Sequence, residues 1–420
     1  MPWRSWYALG LLFVVYVFNF IDRSILGILN QPIKEDLGLS DTQMGFLGGV
    51  AFAIFYTFVG IPVARLADTK VRRNVVAVSL ALWSGMTMVC GLVLNFWQLL
   101  AARIGVAVGE AGGSPPSHSM ISDLFPPSRR ATALAIYALG IPAGSMLGSL
   151  LGGWLNEAFD WRTAFLVVGA PGVILAIIVR FTLREPIRGA SEVQPMADLP
   201  APPVAEVFHH LWSRRSFRFM VLGAALHSFV GYGVGYWIPA FLIRSHGMGT
   251  GLIGTWLFYL GFAGLLGTFL GGYVADRLSV RDVRWYVWLP GGATLLAVPF
   301  SMFVYLWPDY VVALSVAAIP GMLGAYYLGP TFALTQAMAT LRMRALAASI
   351  MLFITNLIGM GLGPQFTGIL SDLLSAYTDL GTESLRWALV CVLMANVAST
   401  VFYFLAAKDL KYDLDHARKG

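Results

Sequence analysis

Apolar runs of about 20 residues recur from one end of this chain to the other, and that recurrence limits its fold more than any other feature. A run of that length matches the hydrocarbon core of a bilayer, where only a helix or a closed barrel satisfies its own backbone hydrogen bonds. The runs are continuous rather than alternating, so the chain reads as all-α. Spans are expected at 6–29, 42–64, 74–94, 96–118, 131–155 and 163–181, and again at 219–243, 251–275, 285–305, 310–338, 345–370 and 385–407. Composition agrees, since 57% hydrophobic and 12% charged residues are far from a soluble domain, in which about 25% are charged.

Lys and Arg total 28, and the alternation of the spans places 21 of them on the side holding both termini against four on the other. The excess of basic residues marks the cytoplasmic face, so both termini are expected inside, in a bacterial inner membrane. The same asymmetry accounts for the net charge of +6 without nucleic acid, because the basic residues are spread over short loops. The first run follows Arg4 as a signal peptide would. It is long, contains Asp22-Arg23 and lacks a small-residue cleavage site, so it is expected to stay as the first span. Cys90 and Cys391 lie in separate apolar runs with no metal-ligand spacing and read as small core residues.

The composition between Leu183 and Phe217 turns to Pro, Glu, Asp and Ala, which marks a linker between two halves. The expected division is 1–182, an N-terminal six-helix bundle; 183–217, the linker; 218–408, a C-terminal six-helix bundle; and 409–420, a cytoplasmic tail. The linker's second part sets Val207, Phe208, Leu211 and Trp212 against Arg214, Arg215 and Arg218. It suits an amphipathic helix on the anionic inner leaflet and equally a solvated connector.

The halves resemble each other in the loops after the second and eighth spans, which read Ala64-Arg65-Leu66-Ala67-Asp68-Thr69-Lys70-Val71-Arg72-Arg73 and Gly272-Tyr273-Val274-Ala275-Asp276-Arg277-Leu278-Ser279-Val280-Arg281. Their aspartates are 208 positions apart, and a second match, Ser128 to Ala131 with Arg342 to Ala345, recurs at an offset of 214. Two matches at nearly one offset indicate duplication, hence a pseudo-two-fold axis along the membrane normal and a substrate site near the midplane between the halves. The first loop resembles the G-x-L-x-D-R-x-G-R-R motif of the major facilitator superfamily, with Ala64, Thr69 and Val71 as departures; the second keeps Gly272, Asp276 and Arg277. That resemblance implies two six-helix bundles and a cytoplasmic gate in which Asp68 caps a helix end, with Arg72, Arg73, Asp123, Arg129, Arg130, Asp276 and Arg277 in the gate network.

Gly140, Gly144, Gly148, Gly152 and Gly153 put small residues on one face of the fifth span, and Gly359, Gly361, Gly363 and Pro364 fall in the eleventh. Close helix contact is expected at both. Charges inside spans point most directly to function, because each costs at least ~2.5 kcal/mol at bilayer depth. They are Asp22 and Arg23 in the first span and Arg103 and Glu110 in the fourth. At ~1.5 Å per residue, Asp22 is about level with Arg103 and is expected to pair with it. Glu110 shares a helix face with Arg103, about two turns deeper.

The segment Ala102 to Ala111, with Pro115, Ile121 to Phe125 and Asn19 to Arg23, resembles spinster-like transporters. That resemblance implies a proton-coupled secondary transporter working by alternating access, for a lysophospholipid or sphingosine-1-phosphate-like lipid. Asp22, Arg23, Arg103 and Glu110 then bind substrate and proton, the two arginines meeting the anionic head. Tyr232, Tyr236, Trp237, Trp256, Tyr259, Tyr326 and Tyr327 are candidate lining for the apolar tail. Symporters of small organic anions share the Asp-Arg and Arg-to-Glu-Ala features and form the alternative, together with drug efflux antiporters. His118 and Asp123 have the H-x4-D spacing of membrane acyltransferases, but the catalytic domain that would accompany it is missing. No enzyme, metal, cofactor or nucleic-acid role is expected; the partners are the bilayer, protons and the substrate, and the chain is expected to be a monomer. Reporters fused after Arg188 and after Lys419 should both read cytoplasmic, and an outward reading at either breaks the twelve-span topology.

Overall fold

The structure, a computed structural model, describes residues 3–189, 203–340 and 342–419, and every regular element among them is helical. Eleven stretches are long and apolar enough to cross a bilayer: Trp3–Ile28, Asp41–Ala67, Arg72–Cys90, Pro127–Ala158, Trp161–Thr182, Arg215–His246, Thr250–Ser279, Trp285–Leu306, Tyr310–Ala337, Leu346–Tyr377 and Gly381–His416. The expected fourth span is present as two shorter helices, Phe96–Glu110 and Ser114–Leu124. The spans are numbered one to twelve in chain order below.

The fourth span breaks for a local reason. A Cβ on Gly112 would lie 2.0 Å from Ser79 Oγ, so the chain approaches the third span too closely for a side chain. Pro115 and Pro116 then suit the first turn of the following helix, where no backbone donor is lost. The tenth span tightens to a 3-10 turn at Ala325–Tyr327, and the eleventh widens to π turns over Leu357–Leu362, the run containing Gly359 and Gly361.

The chain forms two compact units, Met1–Asp198 with Met248–Phe258, and Leu199–Gly247 with Tyr259–Gly420. In the first, the small face of the fifth span lies on the first span: a Cβ on Gly144 would sit 2.3 Å from the Val17 carbonyl oxygen, and one on Gly148 2.8 Å from that of Ile21. The second unit repeats the device between its eleventh and seventh spans, where Gly363 meets the Phe229 carbonyl and Gly359 meets Ser228. Backbone contact at van der Waals distance gives packing and weak Cα–H···O bonding that a bilayer cannot replace.

Residues 190–202 of the linker lie outside the described set. Its later part is a helix, Val204–Trp212. Val207 and Leu211 are fully buried in the second unit with Met338, Ala347 and Met351, because four-residue spacing puts both on one face. Burial and the neighbouring Arg214 hold the His210 imidazole below its usual pKa. The segment expected as a tail is also structured: the last helix runs Ala395–Lys419, with Leu410 and Leu414 in the same cluster. Asp413 accepts from the backbone N–H and hydroxyl of Ser216 at 2.9 and 2.5 Å, fixing the start of the seventh span.

Gly144→Ala should destabilise the first unit by about 1–3 kcal/mol through overpacking, whereas Gly10→Ala, with nothing within 4 Å of its Cβ position, should be neutral. Equal thermal midpoints for the two purified variants would show that the Gly144 contact contributes nothing.

Candidate functional site

In the first unit, the first span carries Asn19, Asp22 and Arg23, the second Phe52 and Tyr56, and the fourth Arg103 and Glu110. Asp22, Arg103 and Glu110 are 0%, 3% and 1% exposed, so three ionisable side chains lie in the interior. The structure brings Arg23 and Glu110 together: Arg23 Nε donates to Glu110 Oε2 at 2.5 Å. The Arg23 guanidinium also stands over Phe20, Phe52 and Tyr56, 5.0, 5.0 and 4.5 Å from their ring centroids. Arg103 approaches the same Phe52 ring at 5.3 Å. Aromatic faces are favourable surroundings for desolvated cations.

The expected pairing of Asp22 with Arg103 is corrected. Arg103 Nη1 reaches the backbone carbonyl of Asp22 at 3.5 Å, and neither carboxylate oxygen of Asp22 makes a hydrogen bond of good geometry. Thr87 and Trp83 of the third span flank that carboxylate instead. Consecutive helix residues point ~100° apart, so Asp22 and Arg23 leave the first span in different directions. Their depth was legible and their azimuth was not.

Arg72, only 1% exposed, organises a second cluster in this unit. Its Nε donates to Glu185 at 2.8 Å, Nη1 to Asp123 at 2.5 Å and Ser119 at 2.8 Å, and Nη2 to the Pro186 carbonyl at 2.9 Å. Arg73 joins through its backbone N–H, which donates to Glu185. Arg188 donates to the carbonyls of Ala67 and Lys70, closing the C-terminal end of the second span where orphan carbonyls favour a cation. Glu185 and Arg188 were absent from the expected network; the charged Arg-Glu-Pro-Ile-Arg run after the sixth span was their signal. Arg129 and Arg130 lie in the first turn of the helix Pro127–Ala138. The Asp68 side chain lies outside the described residues.

The second copy of the loop is differently arranged. Asp276 accepts from the Tyr286 hydroxyl at 2.8 Å and Arg277 donates to the Tyr273 hydroxyl at 2.6 Å, both at the surface. Asp282 is the carboxylate that gathers cations there, bonded to Arg284 and Lys411, and Arg284 above all holds it well below the usual carboxylate pKa.

The second unit contains a cavity of about 510 Å³ with mostly aliphatic and glycine walls. Of the seven candidate lining residues, Tyr232 and Tyr327 are on its wall. Trp237 is fully buried in packing and donates to the Pro364 carbonyl at 2.8 Å, with Tyr236 edge-on to it. Tyr326 packs against Ala293, Ala297 and Leu323. Tyr259 is exposed, and Trp256 belongs to the short segment counted with the first unit. Sequence reasoning missed His227, Ser228 and Asn396, polar residues on this wall whose only signal was their presence inside apolar runs.

Among the described residues, apolar helices long enough to cross a bilayer enclose buried ionisable side chains, the architecture of a polytopic membrane protein. The profile of the Major Facilitator Superfamily matches residues 12–364, and the chain belongs to that superfamily. Within it the chain is a spinster-like member: a crystal structure of a bacterial homolog to the human lysosomal transporter Spinster, inward-facing and unoccupied, shares 33% identity over 98% of each chain, with a TM-score of 0.91. An MFS-type efflux pump of Mycolicibacterium smegmatis is 36% identical over 98% of this chain and 95% of its own. Protein spinster homolog 3 of Danio rerio is 27% identical over 98% of this chain and 86% of its own.

Arg72→Lys keeps the charge but cannot serve four acceptors from one planar fork, so it should cost about 2–3 kcal/mol of stability. Arg129→Lys, at an exposed site, is the control. Indistinguishable melting midpoints would show that the fork is dispensable.

Proposed function

We propose that the chain is a proton-coupled, alternating-access transporter of an amphipathic lipid anion, of the lysophospholipid or sphingosine-1-phosphate-like class. It works as a monomer in a bacterial inner membrane with both termini cytoplasmic. The buried Arg23–Glu110 pair carries this reading. Desolvating both charges is unfavourable by several kcal/mol per ion, offset only while they remain paired, so a change at one partner is transmitted to the other. When Glu110 is ionised it occupies the guanidinium of Arg23; when it takes a proton the guanidinium is released to a substrate anion, with Arg103 and Asp22 close by. Competition between proton and substrate for one arginine is a coupling mechanism in itself.

The apolar cavity of the second unit supports an amphipathic substrate over a small sugar acid, whose many hydroxyls would require more polar walls. Efflux of apolar compounds is the second reading, favoured by the similarity to a mycobacterial efflux pump over nearly the whole chain.

Proteoliposomes test these readings with labelled lysophosphatidate, a small carboxylate and an apolar drug, with and without an imposed pH gradient. The lipid should accumulate only with the gradient. Arg103→Ala should abolish its transport, while Arg103→Lys restores part. Glu110→Gln and Asp22→Asn should lose gradient-driven accumulation yet keep downhill exchange; wild-type dependence on the gradient in both variants would remove these acids from coupling. Drug movement without lipid movement would favour efflux.

A further inference from the structure

The eighth span, Thr250–Ser279, is one helix shared by two units: Met248–Phe258 is counted with the first and the residues from Tyr259 onward with the second. Its first turns lie on the last turns of the fifth span, at the end that closes with Ala158, away from the Arg72 cluster. Two glycines bring the backbones together, one from each helix. A Cβ on Gly153 would sit 2.3 Å from the Thr250 carbonyl oxygen, and one on Gly254 2.4 Å from that of Ser149. Side chains close the seam. The Thr250 hydroxyl donates to the Gly153 carbonyl at 2.9 Å, Asn156 Nδ2 donates to that hydroxyl at 3.0 Å, and Trp154 Nε1 donates to the Thr255 hydroxyl at 3.0 Å.

Glu157 adds a charge to this contact, because its Oε2 accepts from the Gly251 N–H at 2.6 Å. An N–H in the first turn has no carbonyl of its own helix to meet, and a carboxylate there also complements the positive end of the helix dipole. Cβ atoms on Gly249 and Gly251 would lie 2.8 and 2.7 Å from the same oxygen, so the two glycines leave room for the carboxylate that other residues would fill. The seam is short-ranged, since backbone contact at van der Waals distance is lost whole once the helices part. Glu157 is exposed, so its bond has water available to replace it when that happens.

We propose that Glu157 is a positioning residue of the transport cycle, a latch that holds the first turns of the eighth span on the fifth and releases them when the rest of that span moves with its own unit. The inference rests on the alternating-access reading and adds to it the bond that sets how long one access state lasts.

The test uses nitroxide labels at Ala158→Cys and Leu252→Cys, both exposed positions, in a Cys391→Ser background. Dipolar broadening then reports the separation of the two helix ends in proteoliposomes of the full chain. Wild type should be mostly broadened. Glu157→Ala should raise the ratio of separated to joined molecules about tenfold, as expected for loss of a hydrogen bond to a charged acceptor. Glu157→Gln, which keeps the acceptor without its charge, should raise it less. Gly251→Ala puts a methyl where the carboxylate sits and should release the latch as Glu157→Ala does, and the double variant should add nothing to either change alone. An unchanged ratio in Glu157→Ala, or effects of the two substitutions that simply add, would overturn the latch while leaving alternating access intact. So would one unvarying separation in a wild type that transports lysophosphatidate under a pH gradient. The same unvarying separation without any transport would overturn the reading and the proposal together.

Discussion

An ion pair in a medium that cannot solvate it is the interaction on which the rest depends. Glu110 is buried and Arg23 is largely so, and the pair is held by what the fold places around it: each other's charge and, for Arg23, the aromatic faces of Phe20, Phe52 and Tyr56. Phe52 lies under both Arg23 and Arg103, which makes one ring the spacer between two cations that would otherwise repel. A bilayer makes such an arrangement decisive, because an unpaired charge there has few low-energy alternatives.

Helix interruptions give that arrangement its place. Glu110 is the last residue of Phe96–Glu110, directly before the turn that Gly112 permits against Ser79. In the second unit, Tyr327 closes the 3-10 turn that borders the cavity, and His227 holds the Gly324 carbonyl at its start. Both interruptions expose backbone that a regular helix would have hidden, and both sit against polar or aromatic side chains that receive it. Glycine contacts between the fifth and first spans and between the eleventh and seventh bring the neighbouring backbones close.

The Arg72 cluster follows the same rule near a span end. One planar fork meets two carboxylates, a hydroxyl and a carbonyl. Glu185 links it to the backbone of Arg73, and Arg188 closes the second span from the same segment. The stretch following the sixth span is thereby tied down by charge-assisted bonds rather than by apolar burial.

The sequence by itself determined the class of fold, the spans to within a few residues, and that four charged residues lie inside spans of the first unit. All of these depend on properties that act residue by residue or over one helix: hydrophobic length, Lys and Arg asymmetry, and the cost of a charge at depth. Only the tertiary structure decided the partners. Arg23 with Glu110 rather than Asp22 with Arg103, Glu185 rather than Arg129 on Arg72, and Trp237 in packing rather than on the cavity wall are all questions of azimuth and inter-helix distance. Hydropathy is nearly blind to these, because in an apolar helix every face looks alike until a neighbouring helix with its own side chains fixes which one turns inward.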